Sequence, residues 1–151
     1  VWQPPGVIFS CLKKDHHSHG RSLPPWSEWG FVENDIPRRL VLGALGGRWA
    51  IWQAGHRQQE RWFVADGDDS RVFNSFIRAM NFYGLDPQEP ESSFPNLRIL
   101  HTHERSAPRF FPPGVLRSVH VHMPWPARAS KPIRAALITP SLIADAYSAL
   151  E

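Results

Sequence analysis

Residues able to stack on or bind a ligand gather in one short stretch at positions 118–126. Ser118-Val119-His120-Val121-His122-Met123 alternates polar and apolar side chains, which is typical of a β-strand. Pro124-Trp125-Pro126 follows, and because proline fixes φ and lacks a backbone N–H, the strand must end there. Trp125 is therefore held stiffly at the carboxyl end of a strand, which is where open α/β sheets bind ligands.

A small basic strip follows this tryptophan, formed by Arg128, Lys131 and Arg134. An aromatic ring can stack on a base while neighbouring cations hold phosphates, so Trp125 and the strip form a candidate RNA contact. The same ring could anchor a protein partner or pack over the end of the sheet.

Strands alternate with helices along the rest of the chain. This order predicts a Rossmann-like α/β fold with an open, mainly parallel sheet and flanking helices. Asp68, Asp69 and Ser70 can cap one helix that ends at Gly84, and Thr139 can cap another. Strands are predicted at 40–45, 62–65, 97–101 and 118–123. Helices are predicted after Gly46-Gly47, after Asp68 and after Thr139. The apolar face of the second helix is Val72, Phe73, Phe76, Ile77 and Met80, and the inner face of the third is Leu142, Ile143, Tyr147 and Leu150.

Two regions are expected. Residues 1–37 are rich in proline and predict an irregular N-terminal arm, anchored on the domain by Trp26 and Trp29. Residues 38–151 form the α/β domain. The chain stops after a helix, so we expect a partner or further chain to cover the sheet edge at the fourth strand.

Composition sets broad limits. At 151 residues and 42% hydrophobic, the chain suits a single domain with a real core. The formal charge is +3, and 14 of the 17 Lys and Arg residues are Arg. This bias suits phosphate contacts, and GC-rich coding is the alternative explanation. Cys11 is the single cysteine, which excludes an internal disulfide. No apolar run approaches the length of a membrane span.

These features together resemble class I S-adenosylmethionine-dependent methyltransferases, above all the tRNA (guanine-7) methyltransferase family. That family typically reads Phe-Pro-Asp-Pro-Trp-Pro after its fourth strand, where this chain has Val121-His122-Met123-Pro124-Trp125-Pro126. The approach, Phe111-Pro112-Pro113-Gly114-Val115-Leu116, is similar to a Phe-Pro-Pro-Gly-Ser-Leu-type stretch of the family. The likeness covers about residues 38–151.

The resemblance implies a vestigial cofactor site. Gly43 and Gly47 match glycines of the turn that cradles S-adenosylmethionine, and Asp66 matches the acid that holds its ribose hydroxyls. The two glycines could instead relieve crowding in a strand-to-helix turn. Asp66 could equally cap the next helix together with Asp68 and Asp69.

Other family positions have changed. Val41 replaces the acid of the cofactor turn, and Leu45 replaces its middle glycine, where a side chain should intrude on the cofactor. Met123 replaces the Asp of the catalytic region, and Thr102 and His103 occupy the position near the adenine. The resemblance therefore implies an inactive scaffold, with no catalytic residue assigned and no cofactor expected.

Two histidine groups could suggest a metal site. Cys11, His16, His17 and His19 match no standard zinc finger, and the lysines and aspartate among them favour a solvated loop. In the likeness two strands separate the third strand from the fourth, which argues against a metal site formed by His101, His103, His120 and His122. His120 and His122 should share one face and pack under a helix or bond to carbonyl groups.

The sequence thus predicts a catalytically inactive, methyltransferase-like structural or assembly component of an RNA–protein particle. Its partners would be rRNA or tRNA and neighbouring proteins. The missing initial methionine and the likeness to RNA-modifying enzymes favour a mitochondrial location and the mitochondrial ribosome. The alternatives are an active S-adenosylmethionine-dependent tRNA or rRNA methyltransferase with divergent motifs, and a non-catalytic subunit of a methyltransferase complex.

Overall fold

The computed structural model describes residues 7–9, 11–12, 21–22, 25–31, 35–43, 47–86, 94–122 and 137–150. Short 3₁₀ turns lie at Trp26–Trp29, Glu104–Ser106 and Pro108–Phe110. The strands are β1 (Val7–Phe9), β2 (Cys11–Leu12), β3 (Arg21–Ser22), β4 (Arg38–Leu42), β5 (Arg61–Asp66), β6 (Leu97–His101) and β7 (Ser118–Val121), and the helices are α1 (Arg48–His56), α2 (Asp69–Tyr83) and α3 (Pro140–Ala149).

Five parallel strands form the main sheet in the order β1-β6-β5-β4-β7, and β2 and β3 form a separate antiparallel pair. The chain moves outward from β4 through β5 to β6, then crosses back to place β7 on the other side of β4. In register, Val41 lies level with Val64 on one side and His120 on the other. This arrangement confirms the Rossmann-like α/β fold.

Both faces of the central strands are buried, which explains their near-continuous apolar sequences. Val41 and Val64 point toward α1 and α2 and pack with Phe76. Leu40 and Phe63 point to the opposite face, where the second apolar cluster contains residues of the arm, of the 3₁₀ turns and of α3.

Helix α2 begins and ends where its sequence predicts. Asp68 is the N-cap, and its carboxylate accepts a hydrogen bond of 2.9 Å from the backbone N–H of Arg71. Gly84 ends the helix in the left-handed conformation with φ of 65°. Phe73 is a correction, because it is exposed while Val72, Phe76 and Met80 are buried.

Helix α3 begins as predicted, with Thr139 as N-cap and Pro140 in the first turn, but its inner face differs. Ile143 and Tyr147, expected to face inward, are 59% and 81% exposed. The helix lies against the 3₁₀ turns beside the sheet and buries only Leu142 and Ala149, so the buried stripe is narrow. After it, Leu150 pairs with Leu116 in a parallel bridge.

The arm is anchored as predicted. Trp29 is buried and packs at 5.9 Å from Phe63 and 5.1 Å from Phe111 between ring centroids. The guanidinium of Arg98 lies 3.7 Å from the Phe31 ring centroid and donates to the Trp29 carbonyl at 3.0 Å.

The arm is more regular than its prolines suggest. Val7–Phe9, within the region expected to be irregular, pairs in parallel with β6 as strand β1. Three apolar residues after Pro4 and Pro5 are long enough for a short edge strand, whereas proline would interrupt a longer one.

Across the described ranges, no helix is both long enough and apolar enough to span a lipid bilayer.

Candidate functional site

The carboxyl ends of the parallel strands form the edge at which the sequence places its candidate cofactor residues. Gly43 follows β4 and His122 follows β7, while Asp66 is the last residue of β5. The chain crosses over between β4 and β7, so the gap between these two strands is the point where such sheets bind ligands.

The carboxylate of Asp66 is already bonded within the protein. Arg71, one turn into α2, places its Nε 2.9 Å from Oδ1 and 2.8 Å from Oδ2 of Asp66. The backbone N–H of Asp68 donates to the same Oδ1 at 2.9 Å. Asp66 is only 2% exposed. Of the two roles predicted for this acid, these contacts describe the one at the start of α2, and ribose binding stays a prediction.

The loops that follow β5 and β6 are tied together above this acid. Nη2 of Arg71 lies 3.6 Å from Oε1 of Glu104, and Nε2 of His101 lies 2.8 Å from Oδ1 of Asp69. A Cβ on Gly67 would lie 3.3 Å from the Cα of His103. The loops that follow β5 and β6 are therefore joined by polar side-chain contacts and by close backbone approach.

The two candidate cofactor glycines contact protein atoms closely. A Cβ on Gly43, at φ of 68°, would lie 2.8 Å from the carbonyl oxygen of His122 and 3.2 Å from a methyl of Leu137. A Cβ on Gly47, at φ of 71°, would lie 3.1 Å from Oγ of Ser75 on α2. These contacts fit the crowding role that the sequence left open, and the cofactor role of both glycines stays a prediction.

A second group of polar and aromatic side chains lies on the α1 side of β7. Arg39 donates to both carboxylate oxygens of Glu60 at 2.7 and 2.8 Å and to Oγ of Ser118 at 3.0 Å. Ser118 is hydrogen-bonded to Nε2 of His120 at 2.8 Å. The chain of contacts ties β7 to β4 and to the turn before β5.

Charges and burial shift the pKa values within this group. The hydrogen bonds from Arg39 lower the pKa of Glu60. Burial lowers the pKa of His120, and the nearby charges of Arg39 and His122 act in the same direction. At pH 7 the first shift favours the ion pair between Arg39 and Glu60, and the second favours the neutral imidazole of His120. Both states suit a network that stabilises the fold.

His120 and His122 share one face, as predicted, and pack against α1. The ring centroid of Trp49 lies 5.3 Å from that of His120 and 4.4 Å from that of His122. His120 bonds to a side-chain hydroxyl rather than to a carbonyl group. Sequence reasoning missed Arg39 and Glu60, and the only signal was a charged residue at the start of each of two buried strands.

The histidines of β6 and β7 do not meet. Strands β5 and β4 lie between them, as the family likeness implied. Within the parts of the chain that the structure describes, no three His, Cys, Asp or Glu side chains form a metal-ligand group. The side chain of Cys11 and residues His16, His17 and His19 lie outside them.

Several predicted residues lie outside the described ranges. They are the basic strip with its tryptophan (Trp125, Arg128, Lys131 and Arg134) and the two family departures Leu45 and Met123. The RNA-contact role of the first group, the obstruction of the cofactor by Leu45 and the loss of catalytic function through Met123 stay predictions.

Comparison with known proteins finds no family model that matches this chain and no curated protein that matches its sequence.

Proposed function

We propose that this protein is a catalytically inactive, methyltransferase-like structural or assembly component of an RNA–protein particle. The observation that supports catalytic inactivity is the hydrogen bonding of Asp66, whose two carboxylate oxygens both accept from Arg71 Nε. A ribose would have to reach a carboxylate that is only 2% exposed and compete with this guanidinium for its oxygens, which costs free energy.

The gap between β4 and β7 supports the same proposal. The backbone at Gly43 approaches the carbonyl of His122, and Leu137 packs beside it as a buried side chain. Methyl transfer requires a cofactor and an acceptor held in line, and side chains packed into this position leave less room for either.

The RNA part of the proposal is supported by composition and by the motif likeness. The chain carries +3 formal charge with arginine as its main cation, and arginine binds phosphate through two parallel hydrogen bonds. Since the likeness is to enzymes that act on RNA, the mitochondrial ribosome and its assembly intermediates are the first particles to examine.

Gradient sedimentation of the native protein, with and without ribonuclease, tests this function. A heavy fraction that collapses on ribonuclease treatment is the expected result. A small species that ribonuclease does not change would contradict it and favour a subunit of a small methyltransferase complex.

Calorimetry with S-adenosylmethionine tests the proposed catalytic inactivity separately. We expect no binding at micromolar cofactor concentrations. Micromolar affinity would overturn this part and favour the active methyltransferase, with Arg71 displaced from Asp66.

A further inference from the structure

The outer surfaces of α1 and α2 carry two exposed stripes at helical spacing. Both stripes combine a cationic residue with an aromatic one, four residues apart. The stripe on α1 is Arg48, Trp52 and His56, and the stripe on α2 is Asn74, Arg78 and Phe82. Trp52 is 50% exposed and Phe82 is 46% exposed, which is unusual for such large apolar side chains.

The two stripes meet where the helices touch. The ring of Phe82 lies so close to Gly55 that a Cβ at this position would overlap it. The His56 ring lies 6.5 Å from that of Phe82 and stacks on Trp52 at 4.2 Å, with 29° between the planes. The aromatic side chains therefore form one continuous patch across both helices, which we call the helix-face patch (Trp52, His56 and Phe82).

The patch is held in place before any ligand arrives. Nδ1 of His56 lies 2.8 Å from the carbonyl oxygen of Trp52, so this nitrogen carries the proton and donates it. Because Gly55 has no side chain, the ring of Phe82 packs directly against α1 at this position. Side chains fixed in this way lose little conformational entropy on binding, which favours a stacking role.

The charge around the patch selects the kind of ligand. Arg48, Arg57 and Arg78 are exposed on the same two helices and the turn after α1. From Arg48 to Arg61 the one acid is Glu60, which is buried, bound by Arg39 and paired with Arg57 at 3.7 Å. On α2 the one acid is Asp69, which is the first residue of the helix and lies 2.8 Å from His101, and from Ser70 to Tyr83 there is none. Cations around aromatic rings, without an exposed carboxylate from Arg48 to Arg61 or from Ser70 to Tyr83, fit a polyanion that carries flat rings.

We propose that the helix-face patch binds single-stranded RNA, with bases stacked on Trp52 and Phe82 and phosphates held by Arg48 and Arg78. This inference rests on the proposed association with RNA and adds a second contact surface, separate from Trp125 and its basic strip. Unpaired RNA is the fitting partner because its base faces are accessible, whereas a duplex hides them.

Fluorescence anisotropy of the full chain with a labelled single-stranded oligouridylate tests the proposal. Trp52→Ala and Phe82→Ala should each weaken binding by about tenfold, because each removes a stacking surface. Arg48→Gln should reduce the salt dependence of binding by about one released counter-ion. Tyr147→Ala is the matched control: this aromatic is 81% exposed on α3, which packs with the apolar cluster away from α1 and α2, and its change should leave affinity within about twofold.

Two results would overturn the inference. One is unchanged affinity in both patch variants with circular dichroism like that of the parent. The other is the loss of a co-sedimenting protein from the patch variants while their affinity for the oligonucleotide is unchanged, which would assign the surface to a protein.

The inference and the proposed function fail in different ways. A native protein that still sediments as a ribonuclease-sensitive particle, together with patch variants that bind RNA normally, would reject the helix-face patch alone. A small native species that ribonuclease does not change would reject the particle, whatever the oligonucleotide shows.

Discussion

Arg71, in the first turn of α2, donates from its Nε to both carboxylate oxygens of Asp66, the last residue of β5, at 2.9 and 2.8 Å. A side chain from the following helix therefore bonds the acid that the family likeness assigns to cofactor ribose. The contact also stabilises the fold, since it neutralises a carboxylate that is nearly inaccessible to water.

Replacing Arg71 by alanine should lower the free energy of unfolding by about 2 kcal/mol, because it leaves the buried carboxylate without a counter-ion; the value allows for the partial exposure of the arginine. Urea denaturation at pH 7 measures the change. Arg48→Ala, at an exposed arginine in the first turn of α1, is the control and should change stability by less than about 0.5 kcal/mol. Equal effects of the two substitutions would contradict the assignment of Arg71.

Gly43→Ala should destabilise the protein by about 3 kcal/mol, through its left-handed φ and the contact between the new Cβ and the carbonyl of His122. Gly84→Ala separates the two terms, since Gly84 has φ of 65° but nothing within 4 Å of a Cβ. This second variant should cost only about 1 kcal/mol. Thermal and urea unfolding of the pair measure the difference, and similar losses would show that the β4–β7 gap has more room than the structure describes.

The network around His120 should make stability depend on pH. Burial lowers the pKa of this imidazole in the folded state, so the unfolded chain takes up the proton first as pH falls. The stabilisation is complete above the unfolded value of about 6.5 and is lost as pH falls from there through the lower folded pKa.

The check is urea denaturation at pH 7.5 and pH 5.5, with His120→Gln as the comparison. The variant should lose less stability between the two pH values than the parent. Glu60 does not contribute to this difference, because its pKa is lowered from 4.5 and it titrates below the range. An equal loss in both proteins would assign the acid sensitivity to other groups.

Arg98→Ala should release the arm and cost about 3 kcal/mol. The guanidinium donates to the carbonyls of Trp29, Phe94 and Leu97 and lies over Phe31, so its removal leaves several acceptors without their donor. Burial lowers its pKa only to about 10, so the side chain is charged at neutral pH. Limited trypsin digestion should cut the arm faster in the variant, and an unchanged digestion rate would count against this anchor.

The sequence predicts the apolar parts of β4 and β5, both ends of α2 and the start of α3, because these depend on local chemistry. The strand predicted at 40–45 begins earlier, at Arg38, and ends at Leu42, because Gly43 turns the chain with φ of 68°. The apolar runs of β4 and β5, the Asp68 cap and the Gly84 stop all express the preferences of neighbouring residues. The order of the four predicted strands agrees with what the family likeness implies, since two strands lie between the third and the fourth.

Long-range contacts were beyond the same reasoning. The apolar spacing of Leu142, Ile143 and Tyr147 suits a broadly buried helix, yet only Leu142 of the three is buried, because α3 lies beside the sheet. Nothing local marks Arg71 as the partner of Asp66, since a guanidinium five residues after an acid can as easily extend into water. The sequence does not reveal the helix-face patch for a similar reason, because amphipathic spacing identifies apolar residues but not which of them remain exposed in the fold.

The pairing of β1 with β6 has a kinetic consequence. Val7 lies level with Ile99, so β1 gains its hydrogen bonds only after β6 has been made and placed. Contacts this distant in sequence form late and slow the folding of a domain. Residues 7–9 must therefore wait for β6, which is synthesised much later, and until then these apolar residues are open to capture by chaperones or by other chains.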